Sequence, residues 1–305
     1  MEIGLGVDMR MRDSWSEGDL RVIAREAAGL GYSSVWTPAA DKRIPFDMCA
    51  IWHEASGLET GIAVAPMSAW TPDRLLSVSK DTFERCDGEF TLGIGTGRLT
   101  AAPIRVMRDA ISIFRASLPR LRVYLGALGP QMLRLAGERF DGAALNWCTA
   151  EHVNWCRERV AAGARAAGRD PADVRIHEYI RIYVDHDAEA ARVALAKAVL
   201  GYALAMPGAD KTKGYRGHFA RMGFDEALSE LESRRDAGAT EDELARLFPA
   251  ALLRRVGYAG PPNGARDAFM RLADGLDIAI VRVVASRQND LRTVRATMAA
   301  CAPRS

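Results

Sequence analysis

Three alternating glycines follow an apolar run in the segment 90–98, whose sequence is Phe-Thr-Leu-Gly-Ile-Gly-Thr-Gly-Arg. Glycine inside a strand, as at Gly93, Gly95 and Gly97, costs local stability unless the backbone must bend sharply or approach another group closely. The spacing G-x-G-x-G also differs from the G-x-G-x-x-G of a dinucleotide-binding turn. We therefore expect either a planar ligand lying against this strand or close packing of the strand within the fold.

A second candidate site is the turn that runs from Gly126 through Ala127 and Leu128 to Gly129 and Pro130. The two glycines allow a ligand to approach the backbone, and proline suits the first position of a helix. The start of that helix offers unpaired N–H groups to a phosphate. An ordinary tight loop between a strand and a helix accounts for the same residues, so both interpretations stay open.

Four ionisable side chains are candidates for chemistry. His177 and Glu178 are adjacent on a predicted strand, so one of them faces the interior, where a carboxyl group needs a partner or a raised pKa. Asp41 follows the second predicted strand and could either move a proton or cap the next helix. Arg98 stays protonated and suits a substrate carboxylate or phosphate. We take the first three as candidate catalytic residues and Arg98 as a candidate substrate-binding residue.

Composition limits the class of partner. The 305 residues include 41 basic and 39 acidic side chains without long runs of one sign, so we expect no nucleic-acid partner and a small-molecule substrate. The five cysteines lack C-x-x-C or zinc-like spacing, which favours reduced thiols and no metal site. No long apolar span or apolar leader is present in the sequence, so we predict a cytoplasmic protein without a membrane segment.

The elements that must position these residues alternate between strand and helix. Strands are predicted at 3–8, 32–37, 61–65, 89–94, 121–125, 141–145, 175–184 and 278–284, with helical patterns between most of them. Eight such units favour a closed (β/α)8 TIM barrel over an open doubly wound sheet. In a barrel the ligand site forms at the carboxyl ends of the strands. We predict one domain, 1–305.

Residues 206–238 interrupt the alternation with Pro207, five glycines and a basic cluster that includes Lys211 and Arg216. We predict loop and short helix for this insertion, near the mouth of the barrel. The basic side chains suit a lid over an anionic substrate or over the acidic tail of a cofactor, and Lys211 and Arg216 are candidate substrate-binding residues. The insertion could equally form the contact of a homodimer.

Several segments resemble motifs of the luciferase-like superfamily of flavin and deazaflavin enzymes, and they follow one another along the chain in the order of those motifs. The segment 24–36 is similar to the family's A-x-x-A-E-x-x-G-F-D-S-V-W, and 60–66 is similar to its third strand. The segments 90–97 and 125–142 resemble its fourth strand and its phosphate-binding turn with the sixth strand. The resemblance extends over nearly the whole chain and implies a TIM barrel that binds coenzyme F420 or FMN. The sequence L-G-I-G-T-G is more similar to the deazaflavin branch.

The resemblance also implies roles for individual residues. A bulge with a non-prolyl cis peptide falls at Ala63-Val64, followed by Ala65, and supports the back of the cofactor ring. The turn Gly126-Ala127-Leu128-Gly129, with Pro130 after it, holds the cofactor phosphate. The ring itself is lined by a further set of residues: Trp36, Thr37, Gly95 and Gly97, with Trp147 closing the pocket.

The chain departs from the family pattern after the second strand. Deazaflavin alcohol dehydrogenases of this family have Asp-His there, whereas this chain has Ala39-Ala40. We therefore expect an F420-dependent oxidoreductase that acts on an imine, alkene or methylene-type carbon rather than on a simple alcohol. The alternatives are an FMN-dependent monooxygenase or reductase, and a barrel that binds the cofactor without redox turnover.

Overall fold

Eight parallel strands close into a barrel in the computed structural model, which describes residues 1–7, 15–99, 101–284 and 291–304. The first seven strands along the chain alternate with helices, and the prediction of a (β/α)8 barrel is confirmed. Predicted strand residue Asp8 lies outside the described residues, as does the segment 285–287 after the last strand. The strands are β1 Glu2–Gly6, β2 Ser34–Thr37, β3 Glu59–Pro66, β4 Phe90–Gly95, β5 Arg122–Gly126, β6 Gly142–Asn146, β7 Arg175–Val184, β8 Gly257–Gly260 and β9 Ile278–Val283.

The barrel closes through β9 and β7. Strand β1 pairs with β2 on one edge and with β9 on the other, and β7 pairs with both β6 and β9. The short β8, which the sequence did not predict, pairs only with the carboxyl-terminal part of β7, Arg181–Val184. Because β9 already occupies one edge of β7 at Arg181, β8 must extend the edge on which β6 has ended. The cylinder therefore contains eight strands, with β8 as an addition near its carboxyl-terminal rim.

Helices surround the strands, and several begin at sequence-encoded caps. Ser16 and Asp19 form a capping box at the first helix, Thr71 caps the helix that starts with Pro72, and Thr149 accepts from His152 N at another. The helices are α1 Glu17–Gly29, α2 Ile44–Ser56, α3 Pro72–Arg85, α4 Pro103–Ser117, α5 Pro130–Arg139, α6 Ala150–Ala166, α7 Ala188–Ala203, α8 Gly214–Phe219, α9 Asp225–Asp236, α10 Glu241–Leu247, α11 Ala250–Leu253, α12 Ala265–Leu272 and α13 Leu291–Ala300.

Helices α5 and α6 approach each other very closely through two glycines. A Cβ atom built on Gly163 would lie 2.0 Å from Arg134 O, and one on Gly137 would lie 2.0 Å from Val160 O. No side chain fits at either position without separating the helices. The contact fixes α5, and therefore the turn that precedes it, against the body of the barrel.

One layer of the barrel interior is filled by aromatic rings. The rings of Trp36 and Tyr124 each have their centroid 4.9 Å from that of His177. A Cβ atom on Gly61 would lie 2.2 Å from Trp36 Cζ3, so glycine is required there to admit the indole ring. Burial lowers the pKa of His177 to about 3, so this side chain is neutral at physiological pH and belongs to the packed core.

The insertion 206–238 is mostly helical, whereas the sequence predicted loop with a short helix. It contains α8, a π-helical turn at Ala220–Phe224 and α9. Glu232, buried on α9, accepts from Arg216 Nε at 2.9 Å and from Ala205 N at 2.9 Å. Apolar side chains from α7, the insertion, α10 and α11 form a second hydrophobic cluster beside the barrel core. Tertiary contacts therefore order this region despite its five glycines.

The five cysteines are free and buried. Among the helices of the described ranges, none is long and apolar enough to span a bilayer.

Candidate functional site

A cavity of about 780 Å³ opens at the carboxyl ends of the barrel strands. This volume is within the range of about 300 to 1,000 Å³ that is typical of pockets for small molecules and cofactors. Its wall includes residues from the ends of β3 to β7 and of β9, the first residues of α5, and the segment 212–215 with Arg221 from the insertion. The cavity therefore lies at the end of the barrel where the sequence predicts the ligand site.

One wall of the cavity is formed by a bulge in β3. The pairing of β3 with β4 shifts register between Ile62 and Ala65, and the Ala63-Val64 peptide is cis, as the resemblance implies. A Cβ atom on Gly95 would lie 2.8 Å from Val64 Cγ2, and one on Gly93 would lie 2.5 Å from Ile62 O. Gly93 is thus a packing glycine that admits the bulge, whereas Gly95 also lines the cavity. The result is a smooth, apolar wall without projecting side chains from β4.

The turn between β5 and α5 lines the cavity and leads into the first N–H groups of α5. Gly129 is the N-cap of α5 and provides no side-chain cap, and Pro130 occupies the first turn. The N–H groups at the start of a helix have no intrahelical partner and carry a partial positive charge. Arg221 Nη2 donates to Leu128 O at 3.2 Å, which places a guanidinium group beside the same turn. The turn, the helix start and Arg221 together form a site suited to a phosphate group.

The charged side chains of the cavity wall all have the same sign. They are Arg181, Lys213, Arg221 and Arg282, and no carboxylate lines the cavity in the part of the chain that the structure describes. Burial lowers the pKa of Arg181, and partial desolvation lowers the pKa of the more exposed Arg221, because a desolvated guanidinium group is less stable in its charged form. The arrangement favours an anionic ligand.

Arg181 lies at the end of β7 within a network of polar and aromatic groups. Its Nη1 donates to Asn146 Oδ1 and, at 3.0 Å, to Tyr179 O. Its guanidinium carbon lies 3.9 Å from the centroid of the Trp147 ring. Asn146 Nδ2 in turn donates to Tyr215 Oη at 2.6 Å, which connects the end of β6 to the insertion. Burial raises the pKa of Tyr215 to about 12, so its hydroxyl keeps its proton at physiological pH.

The structure brings most of the predicted cofactor-binding residues together on the cavity wall: Ala63, Val64, Gly95, Gly97, Gly126, Ala127, Leu128, Gly129 and Pro130. The other four predicted residues lie behind that wall. Trp36, Thr37 and Ala65 are fully buried in the barrel, and Trp147 packs beneath Arg181 instead of closing the pocket. These four support the lining residues and do not border the cavity.

The three predicted catalytic residues do not meet at the cavity. Asp41 is exposed outside it, and His177 lies in the aromatic layer of the barrel interior. Glu178 is on the opposite face of β7 from His177, where its Oε1 accepts from Cys148 N at 2.6 Å. Burial raises the pKa of Glu178 to about 8, in line with the expectation that a buried carboxyl group here would need a partner or a raised pKa.

The predicted substrate-binding residues also lie away from the cavity wall. Arg98 is exposed, and Lys211 pairs with Glu232 at 2.7 Å. Arg216 is buried and pairs with Glu232 and, at 2.8 Å, with Asp225. The insertion instead contributes Lys213, Tyr215 and Arg221 to the cavity.

Sequence reasoning missed Arg181 and Arg282. Each is the only charged residue in an apolar run near the end of a strand, at Tyr-Ile-Arg181-Ile-Tyr and Ile-Val-Arg282-Val-Val. Alternation along β7 places Arg181 on the same face as His177 and Tyr179, which is the face toward the barrel interior. The alternation of side chains along β7 could therefore have predicted that Arg181 faces the barrel interior.

The fold and the cavity define an α/β-barrel protein with a pocket of cofactor size whose charged lining residues are cationic. The family model described as luciferase-like monooxygenase matches residues 102–277, which is more than half of the chain. The chain therefore belongs to this family.

Relatives with known names agree with this assignment. A 5,10-methylenetetrahydromethanopterin reductase of Methanolobus tindarius is 30% identical over 167 residues, covering 53% of this chain and 47% of that protein. A reductase of the same name from Archaeoglobus fulgidus is 28% identical over 153 residues, covering 39% of this chain and 45% of that protein. The chain thus matches less than half of the length of either relative.

Solved structures share the fold over almost the whole chain. The coenzyme F420 dependent tetrahydromethanopterin reductase of Methanopyrus kandleri superposes with a TM-score of 0.69 at 15% identity, covering 97% of both chains. An F420-dependent secondary alcohol dehydrogenase in complex with an F420-acetone adduct gives 0.71 at 14% identity, covering 98% of both chains. The oxygenating constituent of 3,6-diketocamphane monooxygenase from Pseudomonas putida, in complex with FMN, gives 0.61 at 13% identity, covering 99% of this chain and 98% of that one. At these identities the likeness establishes the fold.

Proposed function

We propose that this protein is an F420-dependent oxidoreductase that exchanges a hydride between the deazaflavin and a small organic substrate. The observation that carries the proposal is that one cavity combines two surfaces. One is a smooth apolar wall at β3 and β4, and the other, the phosphate-type site, consists of the turn 126–129 and the start of α5. The similarity to relatives named as methylenetetrahydromethanopterin reductases, and to structures named as F420-dependent enzymes, supports the same choice of cofactor.

The residues present fit this cofactor. Val64 and Gly95 would support the planar ring, because neither projects a polar or bulky group into the cavity. The turn 126–129, the first N–H groups of α5 and Arg221 would hold the phosphate. Lys213, at the mouth, suits the acidic tail. When bound, F420 supplies or accepts the hydride; the protein binds and orients both partners.

The chain's own residues favour a substrate whose reduction needs no dedicated acid after β2. Ala39 lines the cavity where a polar side chain would be needed for alcohol chemistry at that position. Tyr215 holds a proton at its Oη, and it reaches the cavity from the insertion. An imine, alkene or methylene-type carbon is therefore the reacting group that we propose, and Tyr215 contributes a protonated hydroxyl to the same cavity.

FMN is the competing cofactor, because it also combines a planar ring with a phosphate and is bound by a monooxygenase of the same fold. Isothermal titration of the purified protein with F420 and with FMN distinguishes the two. Micromolar binding of F420 with at least about tenfold weaker binding of FMN, a difference of about 1.4 kcal/mol, is the expected result. Preferential FMN binding would indicate a flavin monooxygenase or reductase instead.

Turnover is tested separately from binding. Reduced F420 is mixed with a panel of imines, activated alkenes and secondary alcohols, and oxidation is followed by the return of deazaflavin absorbance. We expect turnover with members of the first two classes and little with alcohols. Tight F420 binding without any turnover across the panel would favour a cofactor-binding barrel.

A further inference from the structure

We infer that the cavity contains a carboxylate-binding subsite, in which Arg181 receives the carboxylate of the substrate and Tyr215 donates a second hydrogen bond. This inference rests on the proposed function, because it names the chemical class of the substrate for the same cavity. It adds that the molecule that accepts or donates the hydride is a small organic acid.

The first observation is a buried cation that forms no ion pair with any described residue. Arg181 is only 7% exposed, and no carboxylate lies within ion-pair distance of it among residues 1–7, 15–99, 101–284 and 291–304. Its Nη1 is used by Asn146 and by Tyr179 O. Its Nε and Nη2 have no hydrogen-bond partner within those same ranges. Buried charges are normally paired, so a largely buried guanidinium group that lines a cavity and has no ion pair in the described ranges is suited to an anion bound in that cavity.

The geometry of the unused donors selects the kind of anion. Nη1 is occupied and Arg181 lines the cavity, so the Nε–Nη2 edge, with its two parallel N–H groups, is the part of the guanidinium group left for a ligand. This edge matches the two oxygens of a carboxylate in a bidentate pair, which is the preferred geometry between arginine and carboxylate groups. The planar fork therefore favours a carboxylate over a single polar oxygen.

The order of the strands places this subsite opposite the proposed cofactor wall. Around the barrel, β7 is four strands from β3 in either direction, through β4, β5 and β6 or through β2, β1 and β9. Arg181, at the end of β7, thus faces the bulge at Val64 across the cavity. The phosphate-type turn follows β5 and lies between the two. A ligand at Arg181 therefore occupies the side that a ring against Val64 leaves open.

A second set of contacts holds Arg181 in this position. Trp147, on which the guanidinium group stacks, has a φ angle of 57°, which is unfavourable for a bulky aromatic residue. Such outliers persist where the surroundings enforce them and concentrate at functional sites. Asn146 accepts from Arg181 and donates to Tyr215 Oη, so the proton of the tyrosine hydroxyl remains available for a ligand.

Arg282 strengthens the positive field at the same place. It is the register partner of Arg181 on the neighbouring strand β9, and it also lines the cavity.

The test uses three aromatic probes: benzoate, its neutral isostere benzamide, and phenyl phosphate, which carries a tetrahedral anion. Each is titrated into the F420-loaded protein and into the protein without cofactor. We expect benzoate to bind at least about tenfold more tightly than benzamide in the wild type, as for a charge-assisted bidentate pair. Arg181→Met should abolish this preference, and Arg181→Lys should lose most of it because lysine lacks the fork. Tyr215→Phe should weaken benzoate alone, by a factor of about three to ten.

The matched control is Arg271→Met, which removes the same charge from an exposed position on α12. It should retain the wild-type preference for benzoate. Equal affinities for benzoate and benzamide, or an unchanged preference in Arg181→Met, would overturn the subsite. Phenyl phosphate binding about tenfold more tightly than benzoate would replace the carboxylate with a phosphate and also overturn it. If Arg181→Met does not fold, the test depends on the other two variants: an unchanged preference for benzoate in both Arg181→Lys and Tyr215→Phe would overturn the subsite.

The failure of this inference is separable from failure of the proposed function. F420 affinity is measured by titration in every variant, and we expect it to change by less than about twofold in Arg181→Met, because the phosphate-type site is elsewhere. A wild-type protein that prefers benzoate but does not bind F420 would refute the cofactor and keep the subsite. A wild-type protein that binds F420 but not benzoate would refute the subsite and keep the cofactor.

Discussion

Replacing Glu178 with Gln separates a structural role of this buried carboxyl group from a catalytic one. Glu178 is 2% exposed, and its Oε1 accepts a hydrogen bond from Cys148 N at 2.6 Å. Burial raises its pKa from 4.5 to about 8. Gln has nearly the same shape as the protonated acid and keeps the accepting oxygen. The variant should therefore preserve the fold while removing one titration.

The sign of the effect follows from proton binding. In the unfolded chain the carboxyl group loses its proton near pH 4.5, whereas in the folded protein it keeps the proton up to about pH 8. Between these values the folded state binds more protons, so its stability falls as the pH rises. A difference of 3.5 pKa units corresponds to roughly 5 kcal/mol over the whole window, and the part between pH 6.5 and 8 to about 2 kcal/mol.

Two buried histidines act in the opposite direction at lower pH. Burial lowers the pKa of His177 and of His218 from 6.5 to about 3. The unfolded chain binds these protons first, so stability falls as the pH decreases below about 6.5. For these three groups alone, stability is highest near pH 6.5. Relative to the wild type, Glu178→Gln should gain stability as the pH rises from 6.5 to 8, because it lacks the carboxyl group that titrates there.

The measurement is the free energy of unfolding by urea at pH steps from about 5 to 9. Glu226→Gln, an exposed position on α9, is the control and should follow the wild type. Parallel curves for the wild type and Glu178→Gln would refute the burial argument. If Glu178→Gln kept wild-type stability at every pH but lost turnover about a hundredfold, Glu178 would be a catalytic residue after all.

Three further predictions address the cofactor site and its support. Arg221→Met should lower F420 affinity about tenfold by titration, because it removes the guanidinium group beside the phosphate-type turn; unchanged affinity would move the phosphate elsewhere. Gly163→Ala should cost about 1–3 kcal/mol in urea unfolding, since its Cβ would lie 2.0 Å from Arg134 O; a neutral effect would mean that α5 and α6 can separate freely. F420 at 100 times its Kd should stabilise the wild type by about 2.7 kcal/mol, and no stabilisation would argue against binding to the folded state.

Much of the fold could be predicted because its signals are local. The predicted bounds of β7, 175–184, agree with the structure to the residue. The apolar run of β7 is long, α3 begins with a threonine cap and proline, and α10 begins with a capping box at Thr240. The alternation of strand and helix then predicted the barrel, because eight such units favour closure over an open sheet.

The insertion could not be predicted in the same way because its order depends on distant partners. Its glycines and basic residues are typical of a solvated loop, yet Glu232 pairs with Arg216 and with Lys211, and an apolar cluster shared with α7 buries the helices. Those two cations were predicted to bind substrate from their charge alone. Their charge is neutralised within the insertion, which the sequence could not show before the helices were placed.

The candidate site shows the same division between local and distant signals. The turn 126–130 and the glycines of β4 were recognisable because backbone geometry restricts residue type over a few positions. Arg181 was not, because a single arginine in an apolar strand is conspicuous only once the strand is known to end in a cavity. What distinguishes Arg181 from Arg216 is the absence of a carboxylate beside it in the described structure, and that property depends on the closed barrel. An unpaired cation on an inward-facing position near the carboxyl end of a barrel strand is therefore a stronger indication of a ligand than a cluster of basic residues on an insertion.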